Sequence, residues 1–257
     1  AGVALSLAVA AAVAVSYWRS DAFIIERRKV GPTFVQNWRF GQWVLAGRAV
    51  SLLNSDVLVI WLIAVLAGPA ASGMFTACMG VVFFSNPFVL GVSNLLVPRI
   101  AQAHAQGGTT ALHRAVAQTT WILGAPVAGF CLLLVVCADW ALHALYGDAF
   151  AGQGPTVVAL ALGTLASVLG MGASNGLWVL GRPKANTLSS GVGLVITVAT
   201  AGLLLPRWHT LGAAIGLLAG LGSESIVRNL FFRHYLRMAR TAELIPVAAP
   251  YAESVAS

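Results

Sequence analysis

Charge is what this chain lacks. Only 9% of its 257 residues are Asp, Glu, Lys or Arg, and just 8 are acidic. A soluble domain carries about 25% charged residues. Cysteine is scarce too. Cys78, Cys131 and Cys137 fall inside apolar runs, without metal-ligand spacing, and read as small buried hydrophobes. The chain has no P-loop, no HExxH and no Cys–His pair of usable spacing. Its five histidines, His104, His113, His143, His209 and His234, fall in loops or at span ends. Long polar loops are missing as well, which argues against a membrane-embedded glycosyltransferase. The expectation is therefore a protein that is not an enzyme, with no catalytic residue, no metal site and no cofactor.

Apolar residues dominate what is present. They make up 58% of the chain, and the 27 glycines bring the apolar share to about two-thirds, against about half in a soluble domain. A water-soluble fold of this size cannot hide so much apolar surface. The net charge of +7 does not point to nucleic acid, because the basic residues are spread between apolar runs. The expected partner is the lipid bilayer.

The runs are continuous rather than alternating, so they read as helices and not as barrel strands. A bilayer core needs about 20 apolar residues per helix. Seven spans are expected, at 1–17, 41–67, 72–97, 115–138, 156–180, 187–205 and 211–232. The first is expected to be truncated, making the chain a piece of a longer protein: it opens on Ala1 with no basic leader. Gly68-Pro69, Gly107-Gly108, Gly147-Asp148, Gly181-Arg182-Pro183 and Pro206-Arg207 lie between runs, where chain reversals need Gly and Pro. The stretch 18–40 is polar and basic, and reads as a linker.

Lys and Arg then sort by side. With the end of the first span in the cytoplasm, the cytoplasmic segments hold Arg19, Arg27, Arg28, Lys29, Arg39, Arg99, Arg114, Arg182, Lys184, Arg233, Arg237 and Arg240. The opposite side holds Arg207 alone. Orientation follows this bias in short loops. Trp18, Trp38, Trp43, Trp140, Trp178 and Trp208 lie near span ends, where the indole suits the headgroup layer.

Ionisable groups inside spans cost about 2.5–3.5 kcal/mol each at a helix centre on insertion scales, so each needs a partner, water or a function. The second span holds Arg48 and Asp56, and the seventh holds Glu224 and Arg228. Glu224 and Arg228 are spaced i,i+4 and can pair on one helix. Arg48 and Asp56 are eight apart and cannot meet directly. Arg48 is the favoured substrate contact, because a guanidinium grips phosphate through a planar fork. Ser85-Asn86-Pro87 interrupts the third span, and Pro87 frees a carbonyl that Ser, Asn or water must satisfy. Asn86 therefore joins the cavity candidates. At the outer end of the fourth span, Asp139 and His143 are i,i+4 and are expected to pair. Small residues in the fifth span, and Gly212, Gly216 and Gly220 in the seventh, predict close helix packing.

Several stretches carry a resemblance. They are WRFGQWVLAGRAVSLLNSD at 38–56, LAGPAASGMFTAC at 66–78, NLLVPRIAQAHAQGGTTALHRAV at 94–116, ALYGDAFAGQGPTVVALALG at 144–163, LWVLGRPKANTL at 177–188 and LLLPRWHTLGAAIGLLAG at 203–220. In this order and spacing the chain resembles the C-terminal half of polysaccharide and oligosaccharide-lipid flippases. Their superfamily also contains the multidrug exporters. The resemblance implies an all-α, polytopic fold of two six-helix bundles joined by a cytoplasmic linker. Here 1–17 would end the first bundle, 18–40 would be the linker, 41–240 the six-helix second bundle and 241–257 a cytoplasmic tail. It further implies a multi-pass protein of the bacterial inner membrane that works by alternating access. Its partners would be a polyprenyl-pyrophosphate-linked oligosaccharide and the missing N-terminal six-helix bundle. A cation-coupled multidrug exporter is the alternative. Family members often place an acid nine residues before the Gly of the Gly-Pro loop, whereas Asp56 precedes Gly68 by twelve, so the resemblance assigns Asp56 no role.

Overall fold

The computed structural model describes residues 38, 41–47, 49, 50 and 56–244. The span expected at 1–17, nearly all of the 18–40 linker, the tail beyond 244, Arg48 and the side chain of Asp56 lie outside the described residues. The chain divides into two compact units, 1–42 and 43–257, and every helix from residue 56 onward belongs to the second.

Nearly every described residue is helical, and no β-strand occurs among them. After the helical residues at 43–47 come α1 (Asp56–Ala67) and α2 (Pro69–Val82). A 3-10 turn, Phe83–Ser85, leads into α3 (Asn86–Tyr146). A second 3-10 turn, Asp148–Phe150, leads to α4 (Gly154–Val179), and α5 (Pro183–Leu244) follows. Two of these helices are bent back on themselves. In α3 the backbone leaves helical geometry at Gly107 and Gly108, and in α5 at His209. Three helical stretches, Pro69–Tyr146, Gly154–Val179 and Pro183–Thr241, are long and apolar enough to cross a membrane. The fold is all-α and compatible with a membrane protein.

The breaks have local causes. Reversal needs a positive φ, which glycine adopts without strain. Gly68, Gly108, Gly147 and Gly181 all have it. Pro69 and Pro155 occupy the first turn of their helices, where a missing N–H leaves nothing unpaired. The reversal expected at Pro206-Arg207 falls instead at His209, with φ 45°. Proline is locked near helical φ, so Pro206 cannot make the reversal, and α5 runs through it. At the third span the discontinuity is the 3-10 turn just before Pro87. There Ser85 Oγ donates to the Val82 carbonyl at 2.9 Å.

α4 is the central rod, packing most extensively against α5 and α3. Small residues permit this. A Cβ on Gly170 would meet Ser225 of α5 at 2.7–3.0 Å, and one on Gly172 would meet Val116 and Thr120 of α3. The expected glycine stripe of the seventh span packs onto the other arm of its own helix: Gly216 lies against the Ala201 backbone. The main core runs through all these helices and includes Ile63, Phe75, Leu123, Leu142, Val157 and Leu205, each at most 1% exposed. The outward faces are equally apolar. Trp61, Leu95, Trp121, Leu132, Val136 and Leu203 are each at least 69% exposed. Such a surface fits hydrocarbon and not water.

Candidate functional site

One cavity in this unit has a cation, Arg228, in its wall. It holds about 520 Å³ and lies between the first arm of α3, the last turns of α4 and both arms of α5. Val97 and Ala101 come from α3. Ser174, Asn175 and Trp178 come from α4, and Asn186, Thr187 and Ser190 from the first arm of α5. Arg228 projects from the second arm, and Val44 and Gly47 close the side. The polar residues follow helical spacing. Asn186 and Ser190 are one turn apart on α5, and Ser174 and Asn175 lie one turn before Trp178 on α4. An apolar cluster backs the wall, with Ile100, Leu112, Ala173, Leu177, Phe232 and Leu236 buried together.

Arg228 and Glu224 form an ion pair through Arg228 Nη2 and Glu224 Oε1, as the i,i+4 spacing predicts. A third residue completes the group. Ser190 Oγ donates to Glu224 Oε1 at 2.6 Å and accepts from Arg228 Nη2 at 3.1 Å. The hydroxyl thus bridges the two arms of α5 as well as the two charges. Glu224 is buried behind the pair, with 9% of its side chain exposed against 15% for Arg228. Arg228 Nε is buried and has no hydrogen-bond partner. The guanidinium therefore keeps donor capacity beyond the edge that Glu224 occupies. Nearby, Asn186 Nδ2 donates to Ser174 Oγ at 2.9 Å, joining α4 to α5.

The rim at this end is basic and aromatic. The Arg182 guanidinium lies 4.9 Å from the Tyr235 ring centroid, and Lys184 Nζ lies 4.9 Å from that of Trp43. Thr187 Oγ1 donates to the Trp43 carbonyl at 2.9 Å. These contacts tie the segment before α1 to the start of α5.

The structure brings only some of the sequence-chosen residues together. Glu224 and Arg228 meet at the cavity. Asn86 does not line it, and its side chain is exposed. An interrupted helix is not by that token a cavity-lining one. Arg48 and the Asp56 side chain lie outside the described residues. Sequence reasoning misses Ser174, Asn175, Asn186, Thr187 and Ser190, although polar residues one turn apart in apolar runs carry a readable signal.

At the opposite end the expected Asp139–His143 pair does not form. Asp139 Oδ1 accepts from the Gly154 N–H at 2.8 Å, at the start of α4. His143 Nε2 instead lies 2.6 Å from Asp148 Oδ1. A carboxylate is well placed at a helix N-terminus, where N–H groups lack partners.

No family model, curated protein or solved structure matches the chain. Among the described residues no group of three or more His, Cys, Asp or Glu could hold a metal ion.

Proposed function

We propose that this chain is one half of a membrane transporter that moves an oligosaccharide, carried on a polyprenyl pyrophosphate, across the bacterial inner membrane by alternating access. The single observation that supports the reading best is a cation beside a cavity that also presents hydroxyl and amide groups, in a unit whose outer faces are apolar. Arg228 lines about 520 Å³ of space together with Ser174, Asn175, Asn186 and Thr187. A guanidinium suits a pyrophosphate, and amides and hydroxyls suit the polar groups of a sugar. Arg48, the favoured contact from sequence, remains a candidate beside it. A preceding six-helix bundle would form the facing wall. The basic rim, with Arg182 and Lys184, would face the cytoplasm.

The cation-coupled drug exporter needs a carboxylate available for a proton or sodium ion. Among the described residues, Glu224 is the one acid buried in the bundle, and Arg228 and Ser190 already hold it. That favours the flippase reading.

The test is translocation of a fluorescent lipid-linked oligosaccharide in vesicles containing a protein with both bundles. The double variant Glu224→Gln/Arg228→Gln removes both members of this ion pair together. It is expected to lower transport by at least about tenfold, the scale of a lost charge-assisted hydrogen bond. Unchanged transport by a folded double variant removes this site from the pathway. Transport of cationic drugs in place of the lipid-linked sugar would support the exporter.

A further inference from the structure

We infer that Glu224 is a built-in competitor for the anion that Arg228 binds, so that the cavity takes up a phosphate or pyrophosphate ester by exchange against its own carboxylate. The inference deepens the proposed function and rests on that reading for the identity of the ligand. It goes further in assigning Glu224 and Ser190 a job.

The geometry carries it. Glu224 approaches one edge of the guanidinium, through Nη2, from the buried side of the pair. Nε is left without a partner. Arg228 lines the cavity, and Glu224 is not among the residues that do. An entering anion therefore meets the guanidinium with its counter-ion already behind it. A purely structural ion pair gains from using all its donors, because an unpaired buried N–H is costly. This pair leaves such a donor unpaired, on a guanidinium that lines the cavity.

Ser190 makes the exchange smooth. Its hydroxyl donates to Glu224 Oε1 and accepts from Arg228 Nη2. When a phosphate oxygen draws the guanidinium away, Glu224 keeps the Ser190 hydrogen bond and is not left bare. A like charge near the bound anion weakens it, and the weakening is large where water is excluded. Glu224 thus sets affinity low enough for release. A transporter needs that: a cation without a competitor would hold a pyrophosphate and not let it go.

The experiment is equilibrium binding to the full chain in detergent at fixed low salt. Inorganic pyrophosphate is one probe and geranylgeranyl pyrophosphate the other. Glu224→Gln keeps the shape and an acceptor but removes the charge. It is expected to tighten pyrophosphate binding by about tenfold or more, the direction set by removing a nearby like charge. Arg228→Gln is expected to abolish binding, with or without Glu224→Gln. If Glu224→Gln does not fold, Glu224→Asp carries the test. Its carboxylate is withdrawn by one methylene, and tightening of a few-fold is expected. Tightening for both probes supports a site for the pyrophosphate group whatever carries it. Tightening for the prenylated probe alone supports a lipid-borne ligand. Unchanged or weaker binding in a folded variant overturns the inference, as does binding that survives Arg228→Gln. The two readings fail separately. Tightened binding without transport of lipid-linked sugar removes the flippase and leaves the competitor. Transport with unchanged binding removes the competitor and leaves the flippase.

Discussion

Asp139 and His143 lie one turn apart on α3, yet they hold different partners. Helical spacing puts them on one face, but the N-terminus of α4 competes for the carboxylate and wins. The approach is close: a Cβ on Gly154 would meet the Asp139 carboxylate at 2.5–2.7 Å. Asp139→Ala removes this cap from a distance and is expected to cost about 1 kcal/mol of stability. His143→Ala breaks only an exposed contact, with Asp148 93% exposed, and is expected to change stability by less than about 0.5 kcal/mol. Unfolding in detergent, followed by circular dichroism, checks both; equal losses would contradict the capping role. The cavity divides the same way between what spacing reveals and what it hides. The Glu224–Arg228 pair is legible because i,i+4 is a one-helix relation. Ser190 is not, because it reaches the pair only once α5 doubles back, 34 residues earlier in the chain. Asn86 is exposed and does not line this cavity, since polarity inside an apolar run does not by itself fix which way a helix faces.

Among the elements, the bent helices show which signals specify a reversal. Gly68, Gly107-Gly108, Gly147 and Gly181 mark breaks that the sequence places correctly, because positive φ and glycine go together. Pro206 marks its break three residues early, since proline favours helical φ and only ends a helix indirectly. Packing within α5 makes a sharper claim. Gly216 faces the Ala201 backbone, where a Cβ would come within 2.7–2.8 Å, whereas Gly222, on the same arm, has open space. Gly216→Leu is expected to destabilise by about 1–3 kcal/mol through overpacking. Gly222→Ala is expected to be neutral or to stabilise by up to about 1 kcal/mol, because Ala is the better helix former. Thermal unfolding in detergent measures the pair; similar losses at both sites would show that the arms are not held by this contact.

Across the whole unit, the bends separate into two sets. Gly107-Gly108 and 180–182 belong to one end and carry the basic rim. Gly68, 147–153 and His209 belong to the other. Single cysteines at Gly108 and Lys184 are expected to label from the cytoplasm, and those at Asp148 and His209 from outside. The native cysteines Cys78, Cys131 and Cys137 are replaced first. Labelling of 108 and 148 from the same side would contradict the topology. This ordering is readable in the sequence because membrane insertion is governed by Lys/Arg bias and run length, both one-dimensional quantities. Which faces meet is decided by side-chain shape, which a run of Ala, Val, Leu and Gly conceals.

The shortness of the connections has a consequence for how the chain is degraded. A protease needs an exposed, extended stretch of backbone, and such stretches concentrate at loop tips. Between 56 and 244 the chain offers almost none. Its bends consume one to three residues, and the one longer connection, 147–153, is itself partly a 3-10 turn. Cutting elsewhere means first unwinding helical turns whose hydrogen bonds have no replacement in lipid. The folded unit is thus shielded from turnover by its own lack of loops, and 147–153 is where that shield is thinnest.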